Sequence, residues 1–114
     1  MPEKPSSADL KFRAFSDQTR LRILHLLLRG EMCVCEIVEI TRVPQPTASR
    51  HLAYLRKAGL VSTQKRGLWT YYSLISARTA LHTNLLNCLR NCFEEVSQIR
   101  LDTTRQSKLK KNRC

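Results

Sequence analysis

Cys33-Val34-Cys35 sets two thiols one residue apart, and soft thiolate ligands select soft metal ions. The pair stands shortly before Pro44-Gln45-Pro46-Thr47-Ala48-Ser49-Arg50-His51-Leu52, a segment with the makeup of a DNA-reading helix. A ligand pair built into the element that positions a DNA reader suggests binding that is lost when the ion arrives. The plain alternative for either cysteine is packing as a small buried apolar residue. In a regular helix, residues i and i+2 point about 200° apart. One ion could then hold both sulfurs only by distorting the start of that helix, and this conflict is the expected switch. It would act as a population shift toward the state that the ion binds better. The helix N-terminus should lower both thiol pKa values, while Glu31 and Glu36 should push them the other way.

Cys88 and Cys92 are one helical turn apart and so share a face. Ordinary packing explains them well, although either could supply a third thiolate across a dimer. Cys114 lies in a basic tail and is expected to be a bystander. His25, His51 and His82 have no ligand-spaced neighbour, so no histidine is assigned to metal. For DNA, the candidates at the start of the reading helix are Gln45, Thr47, Ser49, Arg50 and His51, since helix-turn-helix proteins read base edges from that end. Arg50 suits guanine O6 and N7, and Gln45 suits adenine. Thr47 and Ser49 could equally meet phosphate. Lys57, Lys65 and Arg66 are expected phosphate contacts, while Trp69, Tyr71 and Tyr72 are expected to pack within a hairpin.

The elements that must position these residues follow from pattern and punctuation. Residues 1–7 are polar and are expected to form a flexible leader. Ala8 to Phe15 has the spacing of a short helix, and Ser16-Asp17 caps a second one over Gln18 to Leu28, ended by Arg29-Gly30. Met32 to Thr41 fits a short third helix. Val43-Pro44-Gln45-Pro46 forces a turn, because the residue before each proline avoids the helical region. Pro46 then serves in the first turn of the next helix. There Ala48, Leu52 and Leu55 face inward, and Gly59 closes the helix.

Strands are expected over Leu60 to Gln64 and Leu68 to Leu74, joined by Lys65-Arg66-Gly67. A single long helix is expected from about Ala77 to Thr103, with the stripe Leu81, Leu85, Cys88, Cys92, Val96 and Ile99. That stripe points to a dimer seam. The fold class expected is mainly α with a small β-hairpin, a winged helix-turn-helix whose first and fifth helices are expected to form the dimer interface. The domain is expected to cover residues 8–104, with a disordered basic tail expected over 105–114.

The 114 residues allow one domain with a modest core. A formal charge of +11 calls for a polyanionic partner. Between Ile40 and Phe93 there is no Asp or Glu, while basic residues recur from Arg42 to Arg90, as on a phosphate-facing surface. A solvated basic face is the alternative. No apolar run approaches the roughly 20 residues that cross a bilayer, and the polar start at Pro2 to Ser7 is not expected to be a signal peptide. An odd count of five cysteines argues against a disulfide framework and for reduced thiols in the cytoplasm.

Taken together, Phe15 to Leu24, Glu31-Met32-Cys33-Val34-Cys35-Glu36-Ile37, Gln45 to Leu52, Gly59-Leu60-Val61 and Arg66 to Leu74 resemble the ArsR/SmtB metalloregulatory repressors. The resemblance covers roughly residues 10 to 100, with the motifs in the family's order. Its Cys-Val-Cys box resembles the arsenic-responsive branch. The resemblance implies a homodimeric winged-helix repressor on the operator of a resistance operon. Trivalent arsenic or antimony at Cys33 and Cys35 would be the inducer, with no organic cofactor and no membrane partner.

The chain also departs from the family. Arsenic-responsive members often carry a third cysteine where this chain has Val38. Cadmium- and lead-sensing relatives add cysteines near the N-terminus, and here none precedes Cys33. Zinc sensors use carboxylates and histidines along the last helix, which here offers only His82.

The alternative signal is thiol redox or persulfide chemistry on the same fold, although an i, i+2 disulfide is strained. An enzyme is not expected, because no thioredoxin-like βαβ pattern surrounds the cysteines. A basic architectural DNA binder without a ligand is the remaining reading.

Overall fold

The computed structural model describes residues 7–109. Helix α1 (Ser7–Phe15) leads into α2 (Gln18–Leu27), which starts where Asp17 accepts the Arg20 N–H at 3.0 Å. That side-chain cap satisfies one of the donors a helix start leaves orphaned. Helix α2 buries Ile23, Leu24, Leu26 and Leu27 at the centre of the core. A two-residue strand, β1 (Met32–Cys33), precedes α3 (Val34–Thr41). Arg42, in the left-handed region at φ 62°, ends α3. Pro44 then caps α4 (Gln45–Lys57) in an extended conformation, with Pro46 in the first turn. Ala48, Leu52 and Leu55 of α4 are fully buried, as their spacing requires.

Gly59 follows α4 at φ 78°, a conformation that a side chain would strain. Strands β2 (Val61–Arg66) and β3 (Trp69–Leu74) follow, turning at Gly67-Leu68 with Gly67 at φ 59°. The sheet is antiparallel in the order β1-β3-β2, with Met32 opposite Tyr72 and Cys33 opposite Tyr71. Helix, turn, helix and hairpin make the expected winged helix-turn-helix. The hairpin has a third strand that periodicity could not reveal, because two residues carry no alternation. The third helix consequently begins at Val34 rather than Met32.

The long final helix does not form. Helix α5 (Ala80–Asn91) stops at Cys92, a turn runs through Glu94 and Glu95, and α6 (Ser97–Lys108) folds back onto α2 and α3. Folding back buries Ile99 and pairs the buried Asp102 with Arg22 in two hydrogen bonds of 2.8 and 3.1 Å. A straight helix would leave that carboxylate unpaired. Arg105 bonds Ile40 O at 2.9 Å and Gln106 bonds Leu26 O at 2.9 Å, which ties the new helix down.

The tail boundary expected at Arg105 therefore falls inside α6, and the domain boundary expected at Ala8 falls inside α1. The leader over 1–6 and the tail over 110–114, with Cys114, lie outside the described residues. On α5 the side chains facing the core are His82, Leu86 and Leu89. The expected seam of Leu81, Leu85, Cys88 and Cys92 lies on the outer face, and the break parts it from Val96 and Ile99. No helix among the described residues is long and apolar enough to cross a membrane.

Candidate nucleic-acid interface and thiol pair

Cys33 belongs to two elements at once. It is the last residue of β1 and the N-cap of α3, with extended backbone at φ −87° and ψ 164°. Because it sits outside the helix, its sulfur is not held on the face opposite Cys35, and the two Sγ atoms are 3.7 Å apart. The expected conflict between the i, i+2 spacing and a shared ion is thereby corrected: the sulfurs converge with α3 intact. Glu36 closes the cap by accepting the Cys33 N–H at 3.1 Å, while the Cys33 sulfur faces the Glu36 amide.

Burial pushes the Cys33 thiol pKa up, and the Glu36 carboxylate adds to the rise against the lowering by nearby amides. The lowering expected from the helix N-terminus is outweighed here. Cys35 is half-exposed at a shallow groove that it lines with Val38, Glu39, Arg42, Val43 and Pro44. It is disulfide-bonded, which departs from the expectation of reduced thiols throughout, so the pair offers two thiolates only once Cys35 is reduced. Cys88, on α5, and Cys92, at its C-terminal cap, are exposed reduced thiols beside one another. Among the described residues of one chain, no three His, Cys, Asp or Glu side chains gather as a metal site. One chain therefore brings neither Cys88 nor Cys92 to the pair.

Helix α4 packs on α2, α3 and β2, and its outer face carries the polar side chains. Gln45, Arg50 and Lys57 are exposed, and Thr47 and Ser49 are half-buried at the same end or flank. His51 sits differently. Its Nδ1 lies 3.5 Å from the Arg20 guanidinium, which also stacks on Tyr54 at 4.1 Å. Burial lowers the His51 pKa, with Arg20 and Arg50 adding to the fall against the opposing pull of Asp17. Arg20 further donates to Ala14 O at 3.1 Å and Arg13 O at 2.9 Å, so it fastens α4 to the α1–α2 corner. Sequence reasoning missed this positioning role, whose one visible signal is the spacing of Asp17 and Arg20 across the capped turn.

In the wing, Lys65 is exposed near the turn. Arg66 is engaged: its Nη2 donates to Glu31 and its guanidinium lies over the Tyr71 ring at 4.6 Å. Trp69 is 44% exposed and Leu68 94% exposed, so Trp69 does not pack inward as expected, whereas Tyr72 packs against the core.

Comparison with known proteins agrees with this geometry. The family model "Bacterial regulatory protein, arsR family" matches residues 17–63, from the cap of α2 into β2. An uncharacterized HTH-type transcriptional regulator of Methanocaldococcus jannaschii is 48% identical over 77 residues, which is 67% of this chain and 86% of that one. The arsenical resistance operon repressor of Escherichia coli is 38% identical over 88 residues, 76% of this chain and 75% of that one. Among solved structures, HlyU from Vibrio cholerae superposes with a TM-score of 0.65 at 32% identity, covering 81% of this chain and 99% of that one. Sequence, order of elements and fold agree, and the chain belongs to the ArsR family of DNA-binding transcriptional regulators rather than to any class of enzyme.

Proposed function

We propose that the chain is a homodimeric repressor of a resistance operon, released from operator DNA when trivalent arsenic or antimony binds the thiolates of Cys33 and Cys35. The observation that carries this reading is the 3.7 Å approach of the two sulfurs. One sulfur belongs to a strand paired with the wing and the other to the helix packed against α4. Two soft donors at that separation suit a thiophilic ion and leave hard cations poorly served. An ion bridging them ties the wing sheet to α3, so its binding energy acts on the relative placement of the two DNA-contacting elements. The release is then a population shift. Where a third thiolate is used, it comes from Cys88 or Cys92 of a second copy.

In this reading Arg50 and Gln45 reach base edges, Thr47, Ser49 and His51 flank them, and Lys57 and Lys65 serve phosphates, while Arg66, engaged by Glu31, braces the wing. The dimer forms through the outer face of α5, with Leu81 and Leu85, and through α1, where Phe12 is 56% exposed. The kinship to an arsenical resistance operon repressor supports the choice of ion.

The test is fluorescence anisotropy of the reduced protein on DNA from upstream of its own gene, titrated with arsenite, antimonite, cadmium and mercury in turn. Release by arsenite or antimonite at the lowest concentrations is expected. Release by cadmium or mercury alone would reassign the ion, and release by peroxide alone would turn the pair into a redox switch.

A further inference from the structure

Arg66 is the last residue of β2 and stands opposite Trp69 across the wing turn. Its Nη2 donates to both carboxylate oxygens of Glu31, at 2.6 and 2.5 Å, and to Gln64 Oε1 at 3.2 Å. Its guanidinium covers the ring of Tyr71, and Tyr71 is the register partner of Cys33. Glu31 precedes Cys33 by two residues along an extended segment whose Met32 and Cys33 both pair with β3. Two connections therefore run from the wing turn to Cys33, one through the Tyr71 ring and one through the Glu31 carboxylate. Glu31 lies outside the stretch from Ile40 to Phe93, which has no carboxylate of its own to hold the wing's cations.

We infer that Glu31 is a positioning residue whose grip on Arg66 transmits the state of the Cys33–Cys35 pair to the wing. With the pair unbound, the latch keeps the wing fixed against β1 in the orientation that meets DNA. An ion bridging Cys33 and Cys35 ties the end of β1 to α3, moves Glu31 off Arg66 and lets the wing turn away. This rests on the reading of the thiol pair as the inducer site. An exposed ion pair is worth up to about a fivefold change in an equilibrium, so the latch carries part of the coupling and the α3–α4 contact carries the rest. Linkage requires whatever it carries to appear as a change in the effect of the ion on DNA affinity.

The experiment compares the ratio of operator affinities without and with arsenite for the reduced full chain, Glu31→Ala and Glu31→Asp. The expected result is a ratio about two- to fivefold smaller in Glu31→Ala, with arsenite uptake unchanged by thiolate–arsenic ultraviolet absorbance and with most of the ratio regained in Glu31→Asp. A ratio in Glu31→Ala equal to the wild-type value overturns the latch. If the wild type binds the operator and ignores arsenite, the metalloid reading fails, and Trp69, the sole tryptophan, decides the latch. Alkylation of the reduced pair by N-ethylmaleimide then changes Trp69 emission in the wild type and leaves it unchanged in Glu31→Ala. Equal responses in both proteins overturn the inference.

Discussion

Replacing Arg22 by methionine should cost about 3–5 kcal/mol of folding stability, because it strands a buried charge. The Asp102 side chain is 1% exposed and that of Arg22 is 11% exposed. Arg22 gives Asp102 two charge-assisted hydrogen bonds and gives Thr41 O a third at 2.7 Å. Among the described residues, only Gln98, at 3.4 Å, would remain to solvate the carboxylate. Each hydrogen bond to a charged group is worth roughly 1.5–3 kcal/mol, and two charges about 4 Å apart attract by about 4 kcal/mol at an effective dielectric near 20. The desolvation already incurred by Asp102 cancels part of that sum, which brings the loss into the stated range.

Against a typical total of about 5–15 kcal/mol, such a loss is severe. The control is Arg22→Met with Asp102→Leu, which removes both charges and should recover most of the stability. Urea unfolding followed by circular dichroism, at one fixed protein concentration, measures all three proteins. A loss below about 1 kcal/mol in the single variant would mean that Asp102 is solvated. The account of why the last helix breaks and folds back onto α2 would then be refuted.

The other predictions concern protons, phosphates and the reader. His25, His51 and His82 have pKa values lowered first by burial, with Arg29, Arg20 and Lys11 respectively among the cations that add to the fall. The unfolded chain protonates these groups near pH 6.5 while the folded one resists, so the unfolded state binds more protons. The stability they contribute is present above that pH and lost as pH falls through the lowered folded values. His82→Gln should flatten the decline in urea midpoint between pH 7.5 and 5.5, and an unchanged slope would contradict the burial argument. Lys65→Ala should weaken operator and random DNA alike and reduce the salt slope by about 1, as for one phosphate contact. A loss confined to the operator would contradict that role. Arg20→Ala should weaken operator binding more than random DNA binding, because it unfastens α4 while leaving its phosphate contacts in place. Equal weakening of both would remove Arg20 as a positioning residue.

Much of the fold was legible because its punctuation is local. Asp17 begins α2, Pro44 and Pro46 fix the turn into α4, Gly59 ends that helix, and Gly67 permits the wing turn. Each signal acts through one or two residues and needs no knowledge of the rest of the chain. The misreadings arose where tertiary contacts decide. Leu81, Leu85, Cys88, Cys92, Val96 and Ile99 keep helical spacing across the break, so periodicity alone cannot register that Asp102 finds Arg22, eighty residues away.

The candidate site divides in the same way. The Cys-Val-Cys box and the exposed Gln45, Arg50, Lys57 and Lys65 follow from residue type and helical phase. The placement of Cys33 on a strand, the contact of His51 with Arg20 and the engagement of Arg66 by Glu31 depend on long-range pairing. The first of these changes the chemistry most, since it turns two expected opposing sulfurs into a converging pair.

The measurement that bears most directly on the central claim is operator affinity with and without arsenite for the reduced wild type, Cys33→Ser and Cys35→Ser, read by anisotropy on the same DNA. The account predicts that all three bind the operator comparably and that only the wild type is released. Release of either serine variant at the wild-type arsenite concentration would contradict it, as would loss of DNA binding comparable to that of Arg50→Ala.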